Sequence, residues 1–227
     1  MTLWWVALAA ALALGLVGHR TGRELATGGY RIEEEVDTPP PGSAWWTGPA
    51  TGLLAALAVY GVGDQGSWAA LPAYLLFAWL TVGLTWIDLD VHRLPIGLVT
   101  PTGGALVVLL GVASLATGGT RWLGAVVGAL LMGFCYLVLF LLPGGGVGAG
   151  DLRLAPVIGA LLGWLGLGQV VVGIGAGFLV GGVGAVVLLL GRRVGMKTPI
   201  AYGPAMCLGA WVAIAFTSRI LTWMLGG

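Results

Sequence analysis

The sequence predicts an all-α fold, a polytopic membrane helix bundle of about eight transmembrane helices. Three observations carry that expectation. Hydrophobic residues make up 58% of the chain and charged residues only 8%, where a soluble domain carries roughly 25% charged residues. The mean hydropathy is +0.99. Glycine accounts for 42 of 227 residues; these glycines lie inside apolar runs without a collagen period, which suits close helix–helix packing. The composition excludes an ordinary water-soluble globule and a disordered chain. Lys+Arg 10 against Asp+Glu 9 leaves a net charge of only +1, which excludes a nucleic-acid partner. Cys135 and Cys207 stand in or beside apolar runs and form no CxxC, so neither a disulfide framework nor a zinc site is expected.

The first apolar run covers Leu3 to Gly18. No basic residue precedes it, and His19, Arg20 and Arg23 follow it, the reverse of a cleaved signal peptide. It reads as an uncleaved anchor with its N-terminus outside, so that 1–18 is the first transmembrane helix. Residues 19–48 read as a short cytoplasmic linker, with Arg31, Glu33-Glu34-Glu35, Asp37 and Pro39-Pro40-Pro41 in a stretch too polar for a core of its own. Its acidic run reads as solvated. Residues 49–227 form the multi-span domain, with apolar segments at about 49–63, 68–87, 98–117, 122–143, 155–167, 169–190 and 205–224, and a tight bend near Gly166–Gly168. Alternating the sides from an outside N-terminus puts Arg20, Arg23, Arg31, Arg93, Arg153, Arg192, Arg193 and Lys197 in the cytoplasm and leaves only Arg121 and Arg219 outside. That bias supports the topology by a criterion independent of hydropathy.

Of the nine acidic residues, Glu24, Glu33, Glu34, Glu35 and Asp37 fall in the linker and Asp64 in an outside loop. Asp88, Asp90 and Asp151 remain, each at the end of an apolar span and all on the cytoplasmic side. An ionisable residue at membrane depth is a functional hypothesis by default. Asp88 and Asp90 sit in Thr85-Trp86-Ile87-Asp88-Leu89-Asp90-Val91-His92-Arg93-Leu94-Pro95, and Asp151 in Gly148-Ala149-Gly150-Asp151-Leu152-Arg153-Leu154. Glycines ahead of Asp151 permit an unusual turn and a close approach to the carboxylate. The plainer reading is a loop with an N-capping aspartate. A phosphate-cradling loop is disfavoured, because no Lys-Ser/Thr follows. Two converging carboxylates share a proton, since like charge raises the pKa of one partner. One then takes a proton from water while the other donates to a carbonyl oxygen, with no metal and no cofactor. His92, a lone histidine in a basic loop, lacks the partner group that a base or ligand needs.

These segments resemble the type IV prepilin peptidases, membrane aspartic proteases of the GxGD type. Ile87-Asp88 with Arg93-Leu94-Pro95 resembles the family's first aspartate segment. Gly148-Ala149-Gly150-Asp151 with Arg153-Leu154 resembles the second, and Thr198-Pro199-Ile200-Ala201-Tyr202-Gly203-Pro204 resembles a late loop. The resemblance covers residues 68 to 215 or so, and three ordered motifs carry it where GxGD alone is weak. It implies a peptidase domain over 49–227 with Asp88 and Asp151 as the catalytic pair. Asp90 is the alternative first carboxylate; residues i and i+2 on a helix face different ways, so both cannot aim at one point. Gly148, Gly150, Leu94 and Pro95 support the motifs, Arg153 anchors the cytoplasmic side, and Pro199, Tyr202, Gly203 and Pro204 shape the rim, with Tyr202 as an acid–base group the lesser alternative.

The resemblance further implies an aspartic endopeptidase of the plasma membrane, with its active site facing the cytoplasm. Its partners are the lipid bilayer and prepilin-like or pseudopilin precursors, whose leader peptides it removes. Bifunctional members of the family carry paired CxxC motifs between their first two spans and methylate the new terminus. Here that region has no cysteine, which implies a peptidase without its own methyltransferase. A proton- or cation-coupled transporter using the same aspartates is the alternative from another class. An assembly factor that has lost activity is a third reading, unsupported because both aspartates are present.

Overall fold

The computed structural model describes residues 2–35, 42–63, 68–142, 147–190 and 202–225. The described residues include eight α-helices: α1 (Thr2–Leu25), α2 (Thr47–Gly63), α3 (Leu71–Val91), α4 (Ile96–Ala116), α5 (Thr120–Leu141), α6 (Ala149–Leu165), α7 (Leu167–Leu190) and α8 (Gly203–Leu225). No strand occurs among the described residues. Five segments are long and apolar enough to cross a membrane: Leu3–Leu25, Trp68–Val91, Ile96–Ala116, Thr120–Leu141 and Leu167–Gly184. Large apolar side chains such as Leu12, Leu115, Leu130 and Val171 are well exposed. Such an exterior suits hydrocarbon, because lipid tails carry no penalty for meeting leucine. The chain is a polytopic membrane helix bundle.

The helices group into two compact units, Met1–Gly119 and Thr120–Gly227. In the first, α1 and α2 lie side by side with small residues at the seam. A Cβ on Gly52 would stand 2.7 Å from the Ala11 carbonyl oxygen, so only glycine allows this spacing. Trp79 on α3 donates to Thr21 Oγ1 on α1 (2.9 Å) and ties the third helix to the first. Tyr74, Phe77, Leu80, Leu84, Trp86 and Ile87 fill the core along α3. That helix opens with Pro72 in its first turn, where a missing N–H costs nothing.

In the second unit, α5 and α6 interlock through Gly124 and Gly128 on one side and Gly159 and Gly163 on the other. Any Cβ there would enter the facing backbone, so the two helices approach at backbone contact. The bend expected near Gly166–Gly168 is real and very short. Gly166 alone separates α6 from α7, with φ 153° and ψ 160°, a conformation open essentially to glycine only. Leu154, Ile158, Leu161, Leu162, Trp164 and Met206 are fully enclosed.

Two boundaries differ from the sequence expectation. Helix α1 does not stop at Gly18; it continues through His19, Arg20 and Arg23 to Leu25. A helix leaving an apolar layer keeps its own backbone hydrogen bonds, so the loss of hydrophobicity need not end it. At the other end of the expected linker, Thr47 and Gly48 already belong to α2.

Candidate functional site

Asp88 lies in the last turn of α3, where a long apolar run ends. The turn is closed by His92, whose N–H donates to the Asp88 carbonyl oxygen (3.1 Å). His92 has φ 51° and ψ 36°, and it is the only described non-glycine residue with positive φ. This left-handed cap stops α3 and turns the chain toward Leu94, which is buried, and Pro95, which opens α4. Asp88 itself is 4% exposed.

Asp90, two residues on, has different surroundings, as the expected i, i+2 divergence requires. Arg31 holds it by a two-pronged contact, Nε to Oδ2 at 2.8 Å and Nη2 to Oδ1 at 2.5 Å. Tyr30 donates its hydroxyl to the same Oδ2. Trp86 Nε1 in turn donates to the Tyr30 hydroxyl (3.1 Å), and Trp46 stacks on Trp86 with ring centroids 5.9 Å apart. Three residues past Asp90, Arg93 grips Glu35 through Nε–Oε1 (2.6 Å) and Nη2–Oε2 (2.7 Å), and it also donates to the Tyr30 carbonyl (3.1 Å). Burial, reinforced by the bond to Asp90, pushes the Tyr30 hydroxyl up to about 12. The hydrogen bonds from Arg93 hold Glu35 below the usual carboxylate range.

This corrects the sequence reading of the linker. Glu33 and Glu34 are exposed as expected, but Glu35 and Arg31 are half-buried and held in ion pairs. They fasten the segment after α1 to the end of α3. Arg31, Tyr30 and Glu35 are the residues that sequence reasoning missed here. The only hint was a matched order of charges, Arg then Glu in the linker against Asp then Arg at the helix end. Asp37 and Pro39–Pro41 lie outside the described residues.

Asp151 lies in the second unit, in the first turn of α6. Its Oδ2 accepts the N–H of Gly148, the residue preceding the helix (3.1 Å). A carboxylate in this position satisfies a free amide and meets the positive end of the helix dipole. The aspartate is therefore inside the helix, at its third position, and not in a loop or at the N-cap itself. Gly148 has φ −77° and ψ 158°, ordinary extended backbone, and a Cβ there would make only normal contact with Asp151 (3.5 Å). The unusual turn that glycine permits is not used at that residue. Asp151 is 6% exposed. Gly150 sits in the same turn and Arg153 is exposed, with no polar partner among the described residues.

Tyr202 precedes α8, whose first residues are Gly203, buried, and Pro204, half-buried. Its ring packs with Tyr136 of α5 (centroids 6.0 Å apart) and Phe178 of α7 (6.3 Å). A Cβ on Gly181 would run into the Tyr202 ring at Cε2 (2.5 Å), so that glycine makes the seat. Neither the Tyr136 nor the Tyr202 hydroxyl has a hydrogen-bond partner among the described residues. Tyr136 and Phe178 carried no sequence signal, because an aromatic residue in an apolar helix reads as core. Thr198, Pro199, Ile200 and Ala201 lie outside the described residues. No cluster of potential metal ligands occurs among the described residues.

Fold and site thus define a multi-pass membrane protein with enclosed carboxylates in the terminal turns of otherwise apolar helices. Its curated relatives include three proteins named prepilin leader peptidase/N-methyltransferase. That of Aeromonas hydrophila is 37% identical over 161 residues, 70% of this chain and 53% of its own length. That of Neisseria gonorrhoeae is 34% identical over 179 residues, 76% and 57%. That of Stutzerimonas stutzeri is 31% identical over 172 residues, 75% and 57%. Over 70–76% of its length the chain is a homologue of these prepilin leader peptidases. It spans about half the length of these relatives. No family model and no solved structure matches it.

Proposed function

We propose that the chain is an integral-membrane aspartic endopeptidase of the plasma membrane that removes leader peptides from prepilin-like or pseudopilin precursors at the cytoplasmic face. Asp88 and Asp151 are its catalytic pair. The observation that carries this reading is the enclosure of both carboxylates, 4% and 6% exposed, at the ends of apolar helices. An aspartate serving only as a solvated cap has no need of such burial, which disfavours its charge. When the two meet over a peptide bond, like-charge repulsion keeps one of them protonated. The charged partner takes a proton from the attacking water. The neutral partner donates to the carbonyl oxygen, and the tetrahedral intermediate collapses with the proton returned to the leaving amine. Tyr136 and Tyr202, packed ring against ring in the same unit as Asp151, offer hydroxyls to this side of the site. Arg153 stays an anchor on the cytoplasmic side.

The relatives' printed names also include N-methyltransferase. The segment between α1 and α2 contains no cysteine, and the proposed activity is proteolysis alone. The test uses the purified full chain in lipid nanodiscs with a precursor bearing a basic leader. Cleavage at the leader junction is expected, insensitive to chelators, with no methyl gain on the product when S-adenosylmethionine is present. An intact precursor would refute the peptidase, and a methylated product would refute the restriction to proteolysis.

A further inference from the structure

We infer that Arg31, backed by Tyr30, is a positioning residue for Asp88, and that it acts by gripping Asp90 on the opposite side of the same helix turn. The inference rests on the peptidase reading, because it assigns to the segment after α1 the task of aiming one catalytic carboxylate.

The grip spans the end of α3 and the residue beyond its cap. Trp86 and Asp90 are spaced i, i+4, which places them above one another on one face of the helix, and Arg93 follows directly after the His92 cap. Each is held by the same short segment: Trp86 and Asp90 at the Tyr30 side chain, Asp90 at Arg31, Arg93 at Glu35 and the Tyr30 carbonyl. At about 100° per residue, Asp88 stands roughly 200° from both Trp86 and Asp90, on the far side of the turn. A clamp on one face sets the rotation of the turn about its axis, and so sets the direction in which the opposite face points. The last turn of a helix is where such control has most effect, since its carbonyls lack intrahelical partners and it frays first.

The two pairs have different settings. The Arg31 and Asp90 side chains are 7% and 2% exposed, whereas those of Arg93 and Glu35 are 32% and 18% exposed. The enclosed pair is two-pronged, which fixes direction as well as distance. Asp90 has both oxygens committed to Arg31, one of them also to Tyr30. This geometry gives Asp90 a task other than proton transfer.

Steady-state cleavage of a precursor by the full chain tests the inference, with Asp88→Asn run beside the clamp variants. Arg31→Gln is expected to lower kcat roughly ten- to a hundredfold, the scale of a small misplacement of a reacting group, with KM within about twofold because the substrate does not touch the clamp. Arg31→Lys, which keeps the charge facing Asp90, is expected to regain part of that loss. Asp90→Asn is expected to retain measurable turnover where Asp88→Asn has none. Unaltered kcat in Arg31→Gln, a loss confined to KM, or no regain in Arg31→Lys would overturn the inference while leaving the peptidase reading intact. If Asp88→Asn cleaves and Asp90→Asn does not, Asp90 is the first catalytic carboxylate and the assignment of Arg31 falls with that of Asp88. Full activity in Asp88→Asn and Asp90→Asn alike would refute the aspartic reading itself.

Discussion

Arg31 and Asp90, 59 residues apart in the chain, form a two-pronged ion pair that is almost wholly enclosed. Removing one partner of such a pair leaves the other charge buried and uncompensated, which is far worse than losing a surface contact. Arg31→Gln is therefore expected to lower the thermal midpoint of the detergent-solubilised chain by more than Glu35→Gln, whose pair with Arg93 is partly open to water. Equal shifts in the two variants would contradict the enclosed setting of the first pair.

The attachment of residues 30–35 to α3 has a pH window. Glu35 is held below its ordinary value by Arg93, so its contribution is present above the unfolded carboxylate range and is lost as pH falls through the depressed value. Tyr30 is raised from 10.0 to about 12, so its contribution is present below 10 and is lost as pH rises toward 12. Nitroxides at Glu34 and Leu89, both exposed, would report it in a background without Cys135 and Cys207. A single short distance is expected across neutral pH, broadening at both extremes. A distance that broadens at neutral pH would count against the clamp.

The α5–α6 seam depends on missing side chains. A Cβ on Gly128 would enter the Gly159 carbonyl oxygen and stand 2.7 Å from the Gly163 Cα. Gly128→Ala is expected to destabilise the second unit by about 1–3 kcal/mol, the usual cost of forcing atoms into a filled core. Gly104→Ala, with nothing within 4 Å of the added carbon, serves as the control and is expected to be neutral or gain up to about 1 kcal/mol from helix propensity. Denaturation in mixed micelles distinguishes the two.

The Tyr136 hydroxyl is buried without a partner among the described residues. Deleting an unsatisfied polar atom removes its desolvation cost, so Tyr136→Phe is expected to be neutral or to stabilise by about 1 kcal/mol. If the hydroxyl serves the chemistry at Asp151, precursor cleavage falls severalfold in the same protein. A variant that loses stability would show that the hydroxyl is satisfied in the folded chain.

Hydropathy made the fold class legible, because a helix that must hide its backbone from lipid needs a long apolar run whatever its neighbours are. The three aspartates stood out for the same reason, as charges where apolar runs end. The helix ends were less legible. α1 outlasts its apolar stretch by one polar turn and more, and Asp151 falls within α6 because the residues ahead of it also adopt helical geometry. The clamp could not be read from local pattern. Glu33, Glu34 and Glu35 look alike in sequence, and only the placement of the α3 end beside this segment decides that, among the described residues, Glu35 is the one that meets an arginine. Tyr136 and Tyr202, 66 residues apart by number, become neighbours only through the packing of α5, α7 and α8.

The most direct test of the central claim is the cleavage rate of one precursor by the purified chain with Asp88→Asn and Asp151→Asn made separately. Asparagine keeps the size and removes the acid, so each variant is expected to insert normally and to cleave nothing measurable. A folded variant of either kind that cleaves at the unsubstituted rate would contradict catalysis by the two carboxylates.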